Sequence, residues 1–342
     1  MKLSIRAKLL ASFAVLLLLM VFVSVNTWLQ MQNTAQTQQR IIKISEPSVL
    51  HGQTFITGIN RSLAGLRGYI ILGDDPKKAE IFKAERLHGW QEIDDSMAAL
   101  SELSRSWRNK EDVNSLNELS VLIETFRAAQ QEIEAISQQP HNIPSINMLT
   151  SQAAPVASKI LAAITQVIDE ESTLAASSSR KTLFKALADS RGSFAVGLAN
   201  IRAYLLTGDD KFATLFNKAW RTNIQRYNSI SAMKNLFSTA QRKAWDDYET
   251  LRKTFAPMPN TMFTLRANPD WNLANHWLGT KAAPTAIKIS KLLHNIHESQ
   301  IAFAKQDTNN LLDITTTMTT VLVVGTISAL IIGLFIALAI SH

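Results

Sequence analysis

The chain has 342 residues, with 35 Lys or Arg against 28 Asp or Glu and a net charge of +7. Lys2, Arg6 and Lys8 carry three of those charges, leaving +4 over the rest, an ordinary solvated surface rather than a nucleic-acid footprint. The chain has no cysteine, which excludes disulfides and thiolate chemistry, and it shows no Ser-His-Asp order, phosphate loop or HExxH motif, so neither catalysis nor a metal or cofactor is expected.

Residues 1–8 form a short basic N-terminus. Leu9–Leu29 then carries no charge and supplies the ~20 mostly apolar residues that a helix needs to cross a bilayer. A cleaved signal peptide has an apolar core of ~7–15 residues and a small-residue cleavage site. Here the run is longer and is followed by Asn26-Thr27-Trp28-Leu29-Gln30, so residues 9–30 are read as an uncleaved transmembrane helix. Its basic flank stays inside and Trp28 sits at the interface, which puts residues 31–313 outside. A second uncharged stretch, Ile314–Ser341, returns the chain through the membrane and leaves only Ser341 and His342 beyond it.

Between these stretches, apolar residues recur at spacings of three and four, as in Leu63, Leu66, Ile70 and Leu119, Leu122, Phe126, which predicts an all-helical segment. The segment also repeats itself. Arg67-Gly-Tyr69-Ile-Ile-Leu-Gly73-Asp74-Asp75 recurs 135 residues later as Arg202-Ala-Tyr204-Leu-Leu-Thr-Gly208-Asp209-Asp210. Ile81-Phe82 is echoed by Leu215-Phe216, and Ala153-Ala154-Pro155 by Ala282-Ala283-Pro284. Two modules are expected, residues 31–176 and 177–313, each a four-helix bundle.

In each module the first helix ends at the Gly-Asp-Asp turn. Gly73 and Gly208 are expected to take the left-handed conformation, and the Asp after each to cap the next helix, which in module one has Pro76 near its start. That second helix ends near Leu103 or Phe237, with Ser104 and Ser238 as N-caps for the third, which runs to Pro140 or Pro257. The fourth begins at the Ala-Ala-Pro motif. Met258–Thr280 lacks periodicity and reads as a structured loop with one short helix. One uninterrupted helix over residues 158–207 would span about 75 Å, more than its neighbours reach, so a break is expected at Ser177-Ser178-Ser179. With that break the modules stand side by side; without it they stack on a shared helix.

A basic N-terminus, a membrane helix, an external helical bundle and a second membrane helix resemble the sensory half of bacterial methyl-accepting chemoreceptors. The Arg-x-Tyr-Leu-Leu-Thr-Gly-Asp stretch at 202–209 and its echo at 67–74 look like the helix end of four-helix-bundle sensor domains, and the doubling resembles the helical bimodular type. The resemblance implies a homodimer in the bacterial inner membrane with residues 31–313 in the periplasm. It also implies chemotaxis signalling through a cytoplasmic output module, which is not in this chain. The alternatives are the input half of a sensor histidine kinase or diguanylate cyclase, and a membrane-anchored interaction protein without a ligand.

Candidate ligand residues follow from charge among apolar and small residues. Arg67 and Arg202 lie on apolar helices near Gly65, Gly68 and Gly197. Facing a bundle interior, such a guanidinium would hold a carboxylate bidentately, with Tyr69 and Tyr204 adding hydroxyls. The alternative is an interhelical ion pair with Glu132 or Glu134. Arg191 is a further charge of either kind. The stretch from Arg266 through Trp271 and Asn272 to Trp277 reads equally as a binding loop or a packing loop. Trp90, Trp107, Trp220 and Trp245 read as core anchors, and the His294/His297 pair as a solvated face. The resulting expectation is a transmembrane sensor in which a small, organic-acid-like molecule in a helical bundle shifts the last helix. Thr315, Thr316, Thr317, Thr319 and Thr320 would bond backbone or neighbouring helices, and Gly325 and Gly333 would allow close helix contact.

Overall fold

The computed structural model describes residues 5–341, with side-chain surroundings given for 6–338; Lys2 and His342 lie outside the described residues. The fold is all-α, with no strand among the described residues. Among the described residues twelve α-helices follow in order: α1 (Ile5–Arg40), α2 (Glu46–Leu72), α3 (Pro76–Ser104), α4 (Lys110–Ser137), α5 (Pro144–Met148), α6 (Ala154–Thr173), α7 (Ser178–Thr207), α8 (Asp210–Ser231), α9 (Thr239–Phe255), α10 (Met258–Ala267), α11 (Leu273–Trp277) and α12 (Ala283–Ser341).

The helix ends follow the turn chemistry of the sequence, with three differences. Gly208 ends α7 in the left-handed region at φ 70°, where a Cβ would be strained. Gly73 does not take a positive φ, although its N–H bonds Tyr69 O at 2.9 Å as that of Gly208 bonds Tyr204 O at 2.7 Å. Asp209 caps α8 as expected, but α3 is capped by Asp75 rather than Asp74, because Pro76 occupies its first position. Ser238 and Gln241 form a reciprocal capping box at α9. Ser104 is no cap: α3 runs through it, and Asn109 accepts from the Glu111 N–H at 3.0 Å before α4. The chain breaks between Thr173 and Ser178, where Ser177 caps α7, as the length argument required. Met258–Thr280 is more ordered than a loop and holds both α10 and α11.

Three π-helical turns, Ile41–Ser45, Leu149–Ala153 and Leu278–Ala282, each precede a proline: Pro47, Pro155 and Pro284. Each closes with an i→i−5 bond, from Glu46 to Ile41, Ala154 to Leu149 and Ala283 to Leu278. Proline removes one i→i−4 donor and crowds the preceding turn; widening that turn keeps the helix continuous. The two Ala-Ala-Pro copies therefore share a local structure, a five-residue helix, a π turn and then a long helix.

Packing groups the chain into two compact units that do not follow the 176/177 division of the repeat. Unit 1 holds residues 1–68, 75–127 and 284–342; unit 2 holds 69–74 and 128–283. The difference is physical: a repeat records similarity along the chain, whereas a compact unit records which helices bury one another.

In unit 1, α2 and α3 approach backbone to backbone. A Cβ on Gly89 would lie 2.5 Å from Ser62 N, and one on Gly65 would lie 2.6 Å from Arg86 N. The close helix contact expected at Gly65 is therefore present. At Gly197, in unit 2, the nearest side chain, Phe216, is at an ordinary 3.5 Å. Phe55, Ile59, Leu66, Ile93, Leu100 and Phe126 are among the buried apolar side chains of unit 1. α1 and α12 are long and apolar enough to cross a membrane and leave side chains such as Leu18, Phe22, Leu330 and Phe335 on their surfaces. They touch at Gly325, where a Cβ would meet Val23 at 2.7 Å; Gly333 has nothing within 4 Å. The hydroxyls of Thr315, Thr316, Thr319 and Thr320 each bond the carbonyl four residues back at 2.8 Å.

In unit 2, α7 packs on α8 and α6 on α9. The core is strongly aromatic, with Phe194 on Phe255 at 5.1 Å and Phe216 edge-on to Phe263 at 5.3 Å.

Candidate ligand site

The stripe Trp245, Tyr248, Arg252, Phe255 on α9 has spacings of three, four and three, which puts all four side chains on one face. Trp245, Tyr248 and Phe255 are at most 1 % exposed, so this face is the core face, and Arg252 sits among them half-buried. Its guanidinium lies 4.7 Å from the centre of the Trp220 ring and 4.5 Å from that of Tyr227, both on α8.

Asn223, fully buried on α8, holds it in place. The Arg252 Nε donates to Asn223 Oδ1 at 3.1 Å, and Asn223 Nδ2 donates to Ser190 O at 2.9 Å and Ser190 Oγ at 3.2 Å. Ser190 in turn bonds Tyr248 Oη at 3.1 Å. The result is an oriented cation inside an aromatic frame, fixed on one edge. Its Nη2 is buried and has no hydrogen-bond partner among the described residues. The nearby carboxylate is already committed: Glu249 accepts from Lys234 at 2.8 Å and from Tyr227 at 2.9 Å. Burial alone would raise the Glu249 pKa, but the hydrogen bonds from Lys234 and Tyr227, with the Lys234 charge, bring it below the usual carboxylate value. Burial and the same contact raise the Tyr227 phenol. A planar guanidinium with a free, desolvated donor is suited to a carboxylate.

Unit 1 contains the same motif, closed. Arg127 on α4 lies 4.0 Å over the Trp90 ring on α3, but its Nη2 donates to Asp94 at 2.5 Å. Asp94 stands four residues after its tryptophan; four residues after Trp220 stands Ile224. Unit 1 also holds the most deeply buried carboxylate clamp. Asp307 on α12, with a side chain 0 % exposed, accepts from Arg40 at 2.9 and 3.1 Å and from Arg108 at 2.5 and 2.6 Å. Burial raises the Asp307 pKa, and the hydrogen bonds and charges of Arg108 and Arg40 overcome that and hold it below the usual value.

The residues singled out from sequence fall differently. Arg67 and Arg202 are exposed, so the inward-facing guanidinium expected there is absent. The inward positions are Tyr69 and Tyr204, two residues on and about 200° around each helix. Tyr204 packs edge-on to Phe263 at 4.8 Å, and Gln138 Nε2 donates to Tyr69 O at 2.6 Å. Arg266 and Trp271 do come together: the guanidinium stacks 3.8 Å over the indole, and Nε donates to Leu205 O at 2.8 Å at the end of α7. That closes an orphan helix carbonyl. Asn272 caps α11 by accepting from the Asn275 N–H at 3.0 Å. Arg191 is exposed, bonding Thr165 Oγ1 at 2.9 Å. Of the four tryptophans expected on helices, Trp90 and Trp245 are buried and Trp220 partly so, whereas Trp107, also partly buried, lies off the helices between α3 and α4, its Nε1 donating to Ser48 Oγ at 2.9 Å.

Comparison with known proteins bears on the whole arrangement. No curated protein and no solved structure matches the chain. A family model described as a four helix bundle sensory module for signal transduction matches residues 2–186, more than half of the chain. With membrane-competent helices at both ends and an all-helical segment between them, the chain belongs to this family, the four-helix-bundle sensory module of chemoreceptors.

Proposed function

We propose that the protein is the input half of an inner-membrane chemoreceptor whose periplasmic segment binds a small carboxylate at Arg252. The observation that carries this reading is the buried Arg252 Nη2, held in an aromatic frame without the carboxylate that its counterpart Arg127 has. A bound carboxylate would draw α8 and α9 together through Trp220, Tyr227 and Arg252. It favours one helix packing only by the difference in its affinity for the two. The clamp of Arg40, Arg108 and Asp307 ties α12 to α1 and to the connection between α3 and α4, so a shift of α12 is resisted and passed on at one defined point. The working unit is a homodimer, and the output is a cytoplasmic module that drives chemotaxis.

The test is a thermal-shift and calorimetric screen of the full chain in nanodiscs against acetate, succinate, malate and citrate, since a ligand of the native state raises its apparent stability. At least one acid should bind, Arg252→Gln should abolish the response, and Arg127→Gln should leave it intact. Silence from all four acids, or binding that survives Arg252→Gln, would overturn the reading.

A further inference from the structure

The connection from α6 to α7, in unit 2, borders a cavity of about 490 Å³, lined by Glu171, Leu174, Ala176, Arg180, Lys181 and Phe184 among others. Its size is that of a small-molecule site. Glu171 is 4 % exposed, and its Oε2 accepts from Arg180 Nη2 at 2.8 Å and from Gln241 Nε2 at 2.7 Å. Arg180 Nη1 is spent on Leu236 O at 3.0 Å. Two polar atoms of this pair remain. Glu171 Oε1 and Arg180 Nε are both buried, and neither has a partner among the described residues. One is an acceptor and the other a donor. A buried ion pair is sustained only when its remaining lone pairs and protons are satisfied.

The rest of the cavity narrows the chemistry. Glu171, Arg180 and Lys181 together leave one positive charge in excess. The positive end of α7, a helix of 30 residues, begins beside them at Ser178. An occupant should therefore bring an anionic group. Glu171 Oε1 calls for a donor on the same molecule. Leu174 and Phe184, the latter 40 % exposed, offer an apolar wall.

We propose that this cavity is a second ligand site, separate from Arg252, that takes an α-amino acid with an aliphatic or aromatic side chain. The ammonium meets Glu171, the carboxylate meets Arg180 Nε and Lys181, and the side chain lies on Phe184 and Leu174. Calorimetric titration of the full chain in nanodiscs with L-leucine and L-phenylalanine tests it. Binding is expected, weakened about tenfold or more by Phe184→Ser and by Lys181→Ala, both at exposed positions. Arg252→Gln should leave it unchanged, which separates this site from the carboxylate site. 4-Methylpentanoate, isopentylamine and 2-hydroxy-4-methylpentanoate, which lack the ammonium or the carboxylate, should bind at least about tenfold more weakly than leucine. The proposal is overturned if neither amino acid binds, if binding is indifferent to both cavity variants or is lost with Arg252→Gln, or if any of the three analogues matches leucine.

Discussion

Arg127 in unit 1 and Arg252 in unit 2 start from the same arrangement, a guanidinium laid on a tryptophan of the preceding long helix, at 4.0 and 4.7 Å. They end differently. Arg127 is answered by Asp94 from within the protein, whereas Arg252 has Ile224 at the corresponding step after its tryptophan and keeps a buried donor open. Two further, partly exposed arginines of unit 1, Arg40 and Arg108, are likewise closed by the buried Asp307. A charge satisfied internally holds helices together; one left partly unsatisfied costs stability and is retained where something else completes it. On the proposed function, unit 1 is the mechanical part of the molecule and unit 2 the chemical part.

The contrast can be broken most severely at Asp307. Asp307→Ala removes a fully buried carboxylate from two arginines and should cost about 3 kcal/mol in denaturant unfolding; a loss under about 1 kcal/mol would show that the clamp is not structural. Acid should act in the same direction. The folded pKa of Asp307 is lowered, so its contribution is complete above its ordinary value of 3.8 and is lost as pH falls through the folded value. Wild-type stability should fall in that acid range more steeply than that of Asp307→Ala, measured by the same unfolding.

Arg252→Ala comes next. It removes two ring contacts and leaves the buried Asn223 Oδ1 without its donor, at about 2 kcal/mol, whereas Arg127→Ala should stay near 1 kcal/mol. Equal costs would erase the distinction between the units. Asp94→Ala, which deletes a half-exposed partner, should change unfolding by under about 1 kcal/mol.

Much of the architecture is legible in the sequence, because helix ends are set by local chemistry. Pro76, Ser238 with Gln241, and Gly208 each mark a boundary where the structure has one. The break before Ser178 followed from length alone. The units were not legible, since a repeat says nothing about which helices bury one another. The proposed site at Arg252 lies outside the residues singled out from sequence because of phase. Arg67 and Arg202 attract attention inside a repeated motif, yet they sit off the buried face that Tyr69 and Tyr204 occupy. Arg252 lies in an unremarkable Leu-Arg-Lys stretch, but four residues after Tyr248 and three before Phe255, in step with the core. Asn223 keeps step in the same way with Phe216 and Ile230, seven residues to either side. A charged residue in phase with a buried stripe was the available signal.

The central claim, that unit 2 leaves open what unit 1 closes, is tested most directly by giving unit 2 its own carboxylate. In Ile224→Asp, a parallel calorimetric titration with whichever small acid binds the wild type should show affinity reduced at least about tenfold, with folding unchanged by circular dichroism. Wild-type affinity in Ile224→Asp would contradict the account.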